Sequence, residues 1–151
     1  MKTLIICESY HHGNTKKIAD AMAGVLHAEV KTSGEVDAVA LGSYDLIGFG
    51  SGIYASKNHK NLLKLADSLP AMDKKAFIFS TAGAGNVDLK SHRELKSRLE
   101  AKGFKIVDEF TCKGFDTFGP LKFIGGISKG RPNEKDIEDA KQFAAKLAAS
   151  P

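Results

Sequence analysis

Three times along this chain an unbroken apolar run passes into a loop of glycine and small polar residues, and then into a segment with apolar residues at helical spacing. Thr3-Leu4-Ile5-Ile6-Cys7 leads to Ile18, Met22, Val25 and Leu26. Asp45-Leu46-Ile47-Gly48-Phe49-Gly50 leads to Leu62, Leu63, Ala66 and Leu69, and Lys75-Ala76-Phe77-Ile78-Phe79-Ser80 leads to Leu95 and Leu99. Strands that are apolar at every position, rather than at every second one, are buried on both faces, and the amphipathic segments between them supply the cover. The pattern predicts a doubly wound α/β domain with a parallel sheet and helices on both faces.

The rest of the chain is read around this frame. Val30-Lys31-Thr32 is a short strand, while Val36, Val39 and Leu41 show no period and suit a degenerate helix or a loop. Gly48 and Gly50 are read as ending the third-strand run, Pro70 as stopping the helix before it, and Gly103 as closing the next helix. Phe104 to Phe110 is a fifth strand that ends at Thr111-Cys112. Asn133 opens the last helix, with Asp136 three residues on as a short-armed capping box and Ile137, Ala140, Ala144 and Leu147 on its inner face. Right-handed crossovers leave few orders for five strands, and 2-1-3-4-5 is expected. The 151 residues are read as one domain, 1–151, long enough for a core without staples.

Several function classes drop out on composition. No apolar run approaches the roughly 20 residues of a membrane helix, and the apolar start is too short for a signal peptide. A cytoplasmic protein without membrane insertion is expected. The 22 Lys+Arg against 18 Asp+Glu give a net charge of +4, but the cations are scattered, without the clustered, aromatic-interleaved run of a nucleic-acid binder. Cys7 and Cys112 lack metal spacing. In the expected order they lie three strand spacings apart, roughly 14 Å, too far for a disulfide. The five histidines, His11, His12, His27, His59 and His92, have no carboxylate pair or helical HxxxH spacing to complete a metal site.

In such a sheet, ligands bind beyond the carboxyl ends of the strands, at the switch point between the first and third. Three loops reach that rim. Ser9-Tyr10-His11-His12-Gly13-Asn14-Thr15 joins a strand to a helix N terminus, where backbone N–H groups and the helix dipole can hold a phosphate. The same residues also suit an ordinary capped turn. Gly50-Ser51-Gly52-Ile53-Tyr54-Ala55-Ser56 and Ser80-Thr81-Ala82-Gly83-Ala84-Gly85 are rich in small residues that let backbone approach a flat ring, and Tyr54 offers a face for stacking. GxxxxGK[ST] and GxGxxG are both absent. A cysteine phosphatase loop would carry arginine six residues after Cys7, where this chain has Gly13. Cys7 is read as an inert, packed thiol.

The Gly13-Asn14-Thr15 turn, Lys16-Lys17-Ile18-Ala19 opening the helix, and the Gly50-to-Tyr54 and Ser80-to-Gly83 turns resemble flavodoxin-type FMN-binding domains over essentially the whole chain. The resemblance implies the 2-1-3-4-5 fold and one non-covalent FMN. Ser9, Tyr10, His11, His12, Gly13, Asn14 and Thr15 would hold the phosphate. Ser51, Gly52, Ile53, Tyr54 and Ala55, with Thr81, Ala82, Gly83 and Ala84, would flank the isoalloxazine. The implied function is electron transfer between redox partner proteins. Ser9, one position earlier than the family's hydroxyl residue, and the Gly50-Ser51-Gly52-Ile53-Tyr54 run are also similar to flavodoxin-like protoporphyrinogen oxidases. That similarity implies the alternative of an FMN-dependent quinone or NAD(P)H reductase with its own substrate.

Two departures from the flavodoxin pattern carry expectations. Ile53-Tyr54-Ala55 has no glycine after the aromatic, so a peptide flip there costs roughly 1–2 kcal/mol more and stabilises the one-electron-reduced flavin less. Lys57, Lys60, Lys113, Lys122, Lys129 and Arg131 fall in or beside rim segments, where flavodoxins are usually acidic. They imply partners with acidic docking faces and a less reducing low-potential couple. Phe115 and Phe118 lie in the long segment before the last helix, where loop packing is the simpler role.

Overall fold

The computed structural model describes residues 1–9, 13–83, 88–114 and 130–150. In chain order the elements are β1 (Thr3–Glu8), α1 (Asn14–Leu26), β2 (Glu29–Lys31), β3 (Leu46–Tyr54), β4 (Lys57–Asn58), α2 (Lys60–Ser68), β5 (Lys75–Ala82), α3 (Arg93–Ala101), β6 (Lys105–Lys113) and α4 (Glu134–Ala149). The principal strands are parallel, in the order β2-β1-β3-β5-β6. Without the two-residue β4, which pairs antiparallel with β3, this is the expected 2-1-3-4-5 order. The aperiodic stretch after β2 forms two 3-10 turns, Ser33–Glu35 and Ala40–Ser43.

Each face of the sheet buries its own core. Leu4, Ile6, Ile47, Phe49, Ala76 and Ile78 pack against Leu62, Leu63 and Ala66 of α2 and Leu95 and Leu99 of α3. Ile5, Cys7, Phe77, Phe79 and Cys112 pack against Ile18, Ala19 and Met22 of α1 and Ala140, Ala144 and Leu147 of α4. Both cysteines are free and buried, and burial pushes both thiols up to about 12. That fits the reading of Cys7 as an inert thiol.

Two strands, β3 and β5, are longer than the sequence pattern suggests, and β6 closely matches it. β3 runs through Gly48 and Gly50 to Tyr54, β5 continues to Ala82, and β6 reaches Lys113. The glycines do not end β3; they make room beside it. Gly48 pairs with Phe77 and Gly50 with Phe79. A Cβ at Gly48 would lie 2.3 Å from the Phe77 ring, and one at Gly50 only 2.1 Å from Phe79. Each phenyl ring therefore reaches over the neighbouring strand into the space that a side chain on the glycine would fill.

The last helix begins as expected. Asn133 Oδ1 accepts from Asp136 N at 3.0 Å, and Asp136 Oδ2 accepts from Asn133 N at 2.8 Å. The same carboxylate also receives Arg131, with Nε 2.5 Å from Oδ2 and Nη2 2.6 Å from Oδ1. Arg131, expected among the free rim cations, is therefore neutralised by Asp136. No helix among the described residues is long and apolar enough to cross a membrane.

Candidate functional site

β1, β3 and β5 deliver the ends of the three loops to one edge of the sheet. Gly13 opens α1 with φ 68°, ψ 23°, a left-handed conformation that costs an L-residue 1–2 kcal/mol and glycine almost nothing. The N-terminal turn of α1 is then tied from outside. Ser9 Oγ accepts from Lys16 N at 3.1 Å, and the Gly13 carbonyl accepts from Lys17 N at 3.1 Å. An ordinary capped turn would draw its cap from Asn14 or Thr15; here the side-chain oxygen comes from Ser9, across the loop. The first turn of α1 contains no acidic residue, so the positive end of the helix dipole is not offset there. A cavity of about 290 Å³ beside this turn is lined by Ser9, Gly13, Lys16, Lys31, Thr32 and Glu35, among others, with the Glu35 carboxylate accepting from Thr32 N and Oγ1.

Thr15 and Thr81 join the first loop to the third. Their hydroxyl oxygens are 2.8 Å apart and buried, so the start of α1 is hydrogen-bonded to the end of β5. β6 completes the junction. Gly114 N donates to the Ala82 carbonyl at 3.1 Å, and a Cβ on Gly114 would lie 2.7 Å from Asn14 Nδ2. Gly114 thus belongs to the rim although sequence reasoning did not single it out. A lone glycine after a strand carries no local signal of what packs over it. Tyr10, His11, His12 and Ala84 lie outside the described residues, as do Lys122, Lys129, Phe115 and Phe118.

The second loop is a tight hairpin. Tyr54 pairs with Lys57, leaving Ala55 (φ 49°) and Ser56 (φ 64°) as its two central residues. Both are left-handed, the requirement of a type I′ turn usually met by Asn-Gly. The sequence lacks a glycine here, and the turn forms without one. Ser51 is buried and its hydroxyl is fully used. It donates to the Gly52 carbonyl at 2.6 Å and accepts from His59 N at 2.8 Å and Asn58 Nδ2 at 3.2 Å. Ser51 therefore shapes the hairpin from beneath.

Tyr54 is half-buried and folds onto its own hairpin, over Gly52 and edge-on to the His59 ring at 5.2 Å. His59 caps α2, its Nδ1 accepting from Asn61 N at 3.0 Å. Burial holds this imidazole below its ordinary pKa, against the opposing pull of Glu8. Tyr54, Lys57, Asn58, His59, Lys60 and Leu63 line a pocket of about 260 Å³ on this flank. Among the described residues no cluster of His, Cys, Asp or Glu is arranged to hold a metal ion.

Residues 4–114 match the flavodoxin domain family. The chain belongs to that family. A 48% identical relative, an uncharacterized protein of Methanocaldococcus jannaschii, aligns over 97% of this chain and 98% of its own length. A flavodoxin from the domain Archaea superposes with TM-score 0.76 at 17% identity, covering 98% of this chain and 96% of that one. Flavodoxin 2 from Bacillus cereus gives 0.73 at 21% identity, with 98% of each chain covered. At such identities the likeness establishes the flavodoxin fold.

The residues at the rim of this flavodoxin domain fit a phosphorylated flavin. Gly13 presents a helix N terminus with no acid in its first turn. Glu8, the nearest acidic residue in sequence, is buried and accepts from Ser33 N and Ser33 Oγ. The Gly114 contact brings β6 against Asn14 with no room for a side chain.

Proposed function

We propose that this flavodoxin domain binds one FMN non-covalently at the carboxyl edge of the sheet and carries electrons between redox partner proteins. The observation that carries the reading is the left-handed Gly13 at the mouth of α1, with the Thr15–Thr81 hydrogen bond joining that turn to the third loop. One conformation of the rim thereby serves both ends of an elongated ligand. Gly13, Asn14 and Thr15, with Ser9, Tyr10, His11 and His12, would hold the phosphate. Gly52, Ile53, Tyr54 and Ala55, shaped by Ser51, and Thr81, Ala82, Gly83 and Ala84 would flank the ring. When bound, FMN supplies the electron chemistry. The chain's part is to bind, orient and shield, for which no nucleophile or general acid is needed. The exposed Lys57 and Lys60 beside the second loop suit a partner with an acidic face. A cytoplasmic site of action belongs to the same reading and agrees with the two free cysteines.

The test is titration of the purified protein with FMN, followed by flavin fluorescence quenching and then by the visible spectrum during anaerobic reduction. Tight binding with little turnover of NAD(P)H or quinone by the protein alone supports a carrier. Sustained turnover of either without a partner assigns the chain to the reductase class. Absence of binding removes the cofactor reading and leaves the fold in place.

A further inference from the structure

Under the rim, on the α2 and α3 side of the sheet, a row of polar residues crosses four strands in register. Glu8 lies opposite Ser51, Ser51 opposite Ser80, and Ser80 opposite Thr111. Above Ser80 sits His92, the last residue of the 3-10 turn Leu89–His92 that returns the third loop to α3. Its Nε2 is 2.7 Å from Ser80 Oγ and its Nδ1 3.1 Å from Glu109 Oε1. Lys96 Nζ of α3 lies 3.3 Å from the other Glu109 oxygen. Ser80 Oγ is also 2.9 Å from Thr111 Oγ1.

The protons in this chain follow from the inventory of donors and acceptors. A carboxylate only accepts, so His92 Nδ1–H donates to Glu109 and Nε2 is left as an acceptor. The Ser80 hydroxyl must then give its one proton to His92, and Thr111 donates to the Ser80 oxygen. The connectivity is that of a hydroxyl, a base and an orienting acid. Ser80 and His92 are both 0% exposed, however, so no substrate reaches the hydroxyl, and a nucleophilic role is excluded. What the chain does hold is backbone. Ser80 stands at the take-off of the third loop and His92 at its return. The next residue, Thr81, is tied on the opposite face to Thr15 of α1. A shift of Ser80 therefore moves both the ring-flanking loop and the phosphate turn.

We propose that His92 is a positioning residue for the third loop of the flavin site, tying the loop's return to its take-off at Ser80, with Glu109 selecting the ring nitrogen that makes the bond. The inference rests on the FMN reading for its functional consequence, and on the Ser80–His92–Glu109 geometry for its structural one. Removing Ser80 takes the Nε2 partner from the buried His92, and removing His92 leaves Ser80 with Thr111 alone, each a loss equivalent to about ten-fold in an equilibrium that depends on the loop.

The experiment compares wild type, Ser80→Ala, His92→Phe and the double variant by FMN titration, and in parallel by amide hydrogen exchange of the apoproteins. Each single variant is expected to weaken FMN binding about ten-fold, and the double variant by less than the product of the two, because the Ser80–His92 bond is lost in all three and can be lost only once, while Ser80–Thr111 is lost with Ser80 alone and His92–Glu109 with His92 alone. Amides of Thr81–Gly83 and Asp88–Ser91 should exchange faster while those of β1 and β3 keep their protection. Nitrogen NMR of wild type should show the Nδ1–H tautomer. Effects that multiply in the double variant, exchange that rises evenly across the sheet, or unchanged exchange at both loop ends would each overturn the proposal. If His92→Phe does not fold, Ser80→Ala alone decides, by whether its faster exchange is confined to those two segments. If wild type fails to bind FMN, the cofactor reading falls, and the apoprotein exchange still decides whether the tie exists.

Discussion

Ala55 and Ser56 hold left-handed backbone with exposed side chains that recover none of its cost through packing. Ala55→Gly is expected to stabilise the fold by about 1 kcal/mol, the left-handed strain relieved less the extra freedom of an unfolded glycine. A raised urea midpoint at constant m-value is the expected reading; an unmoved midpoint would mean that the hairpin recovers the strain elsewhere. Two other residues set pH dependences of the same sign in different windows. Burial lowers the pKa of His92 more than Glu109 raises it. The unfolded chain therefore binds this proton first, and stability is lost as pH falls below about 6.5. Burial pushes Asp136 up, but its hydrogen bonds to Arg131 and Asn133 outweigh that and leave it below the usual carboxylate range. Its contribution is complete above about pH 4 and lost as pH falls through the lower folded value. Urea midpoints at pH 7.5, 5.5 and 3.5 for wild type, His92→Phe and Asp136→Asn separate the two: His92→Phe should flatten the first interval and Asp136→Asn the second.

The glycine–phenylalanine pairs are the feature that sets how β3 and β5 fit. Adding a methyl at Gly50 forces it into the Phe79 ring, so Gly50→Ala is expected to destabilise by about 3 kcal/mol. The double variant Gly50→Ala/Phe79→Leu should recover part of that loss. If the double variant were as unstable as the sum of its singles, the clash would lie elsewhere. These pairs also explain why the sequence pattern places the end of β3 too early. Glycine is a common strand terminator, and nothing within residues 45–50 reveals that Phe77 and Phe79 lie across them from a strand more than 20 residues away. The start of α4 was legible because Asn133 and Asp136 cap each other locally, within one turn. The tie at the start of α1 was not, because Ser9's bond to Lys16 spans a loop whose path no local pattern dictates.

At the scale of the molecule, charge is where composition and geometry part. Net charge was readable from the sequence, but where each cation sits depended on the fold: Asp136 neutralises Arg131, while Lys57 and Lys60 are exposed on the flank of the second loop. With FMN bound, Lys57→Gln/Lys60→Gln should make the cofactor harder to reduce, since a nearby positive charge favours added electrons. The same change should weaken association with an acidic protein surface and reduce its sensitivity to salt. An unchanged potential in low salt would show that solvent screens both ammonium groups from the site. By itself the sequence determined the alternation of strand and helix, the strand order, the packed thiol of Cys7 and the capping box of α4, because periodicity, crossover handedness and capping act over a few residues or follow from chain connectivity. Only the tertiary structure decided the seating of Phe77 and Phe79 on glycines, the turning of Ser51 inward, the closing of Gly114 on Asn14 and the Ser80–His92–Glu109 chain. Each of these joins residues from separate elements, and such a contact has an address in space before it has one in sequence.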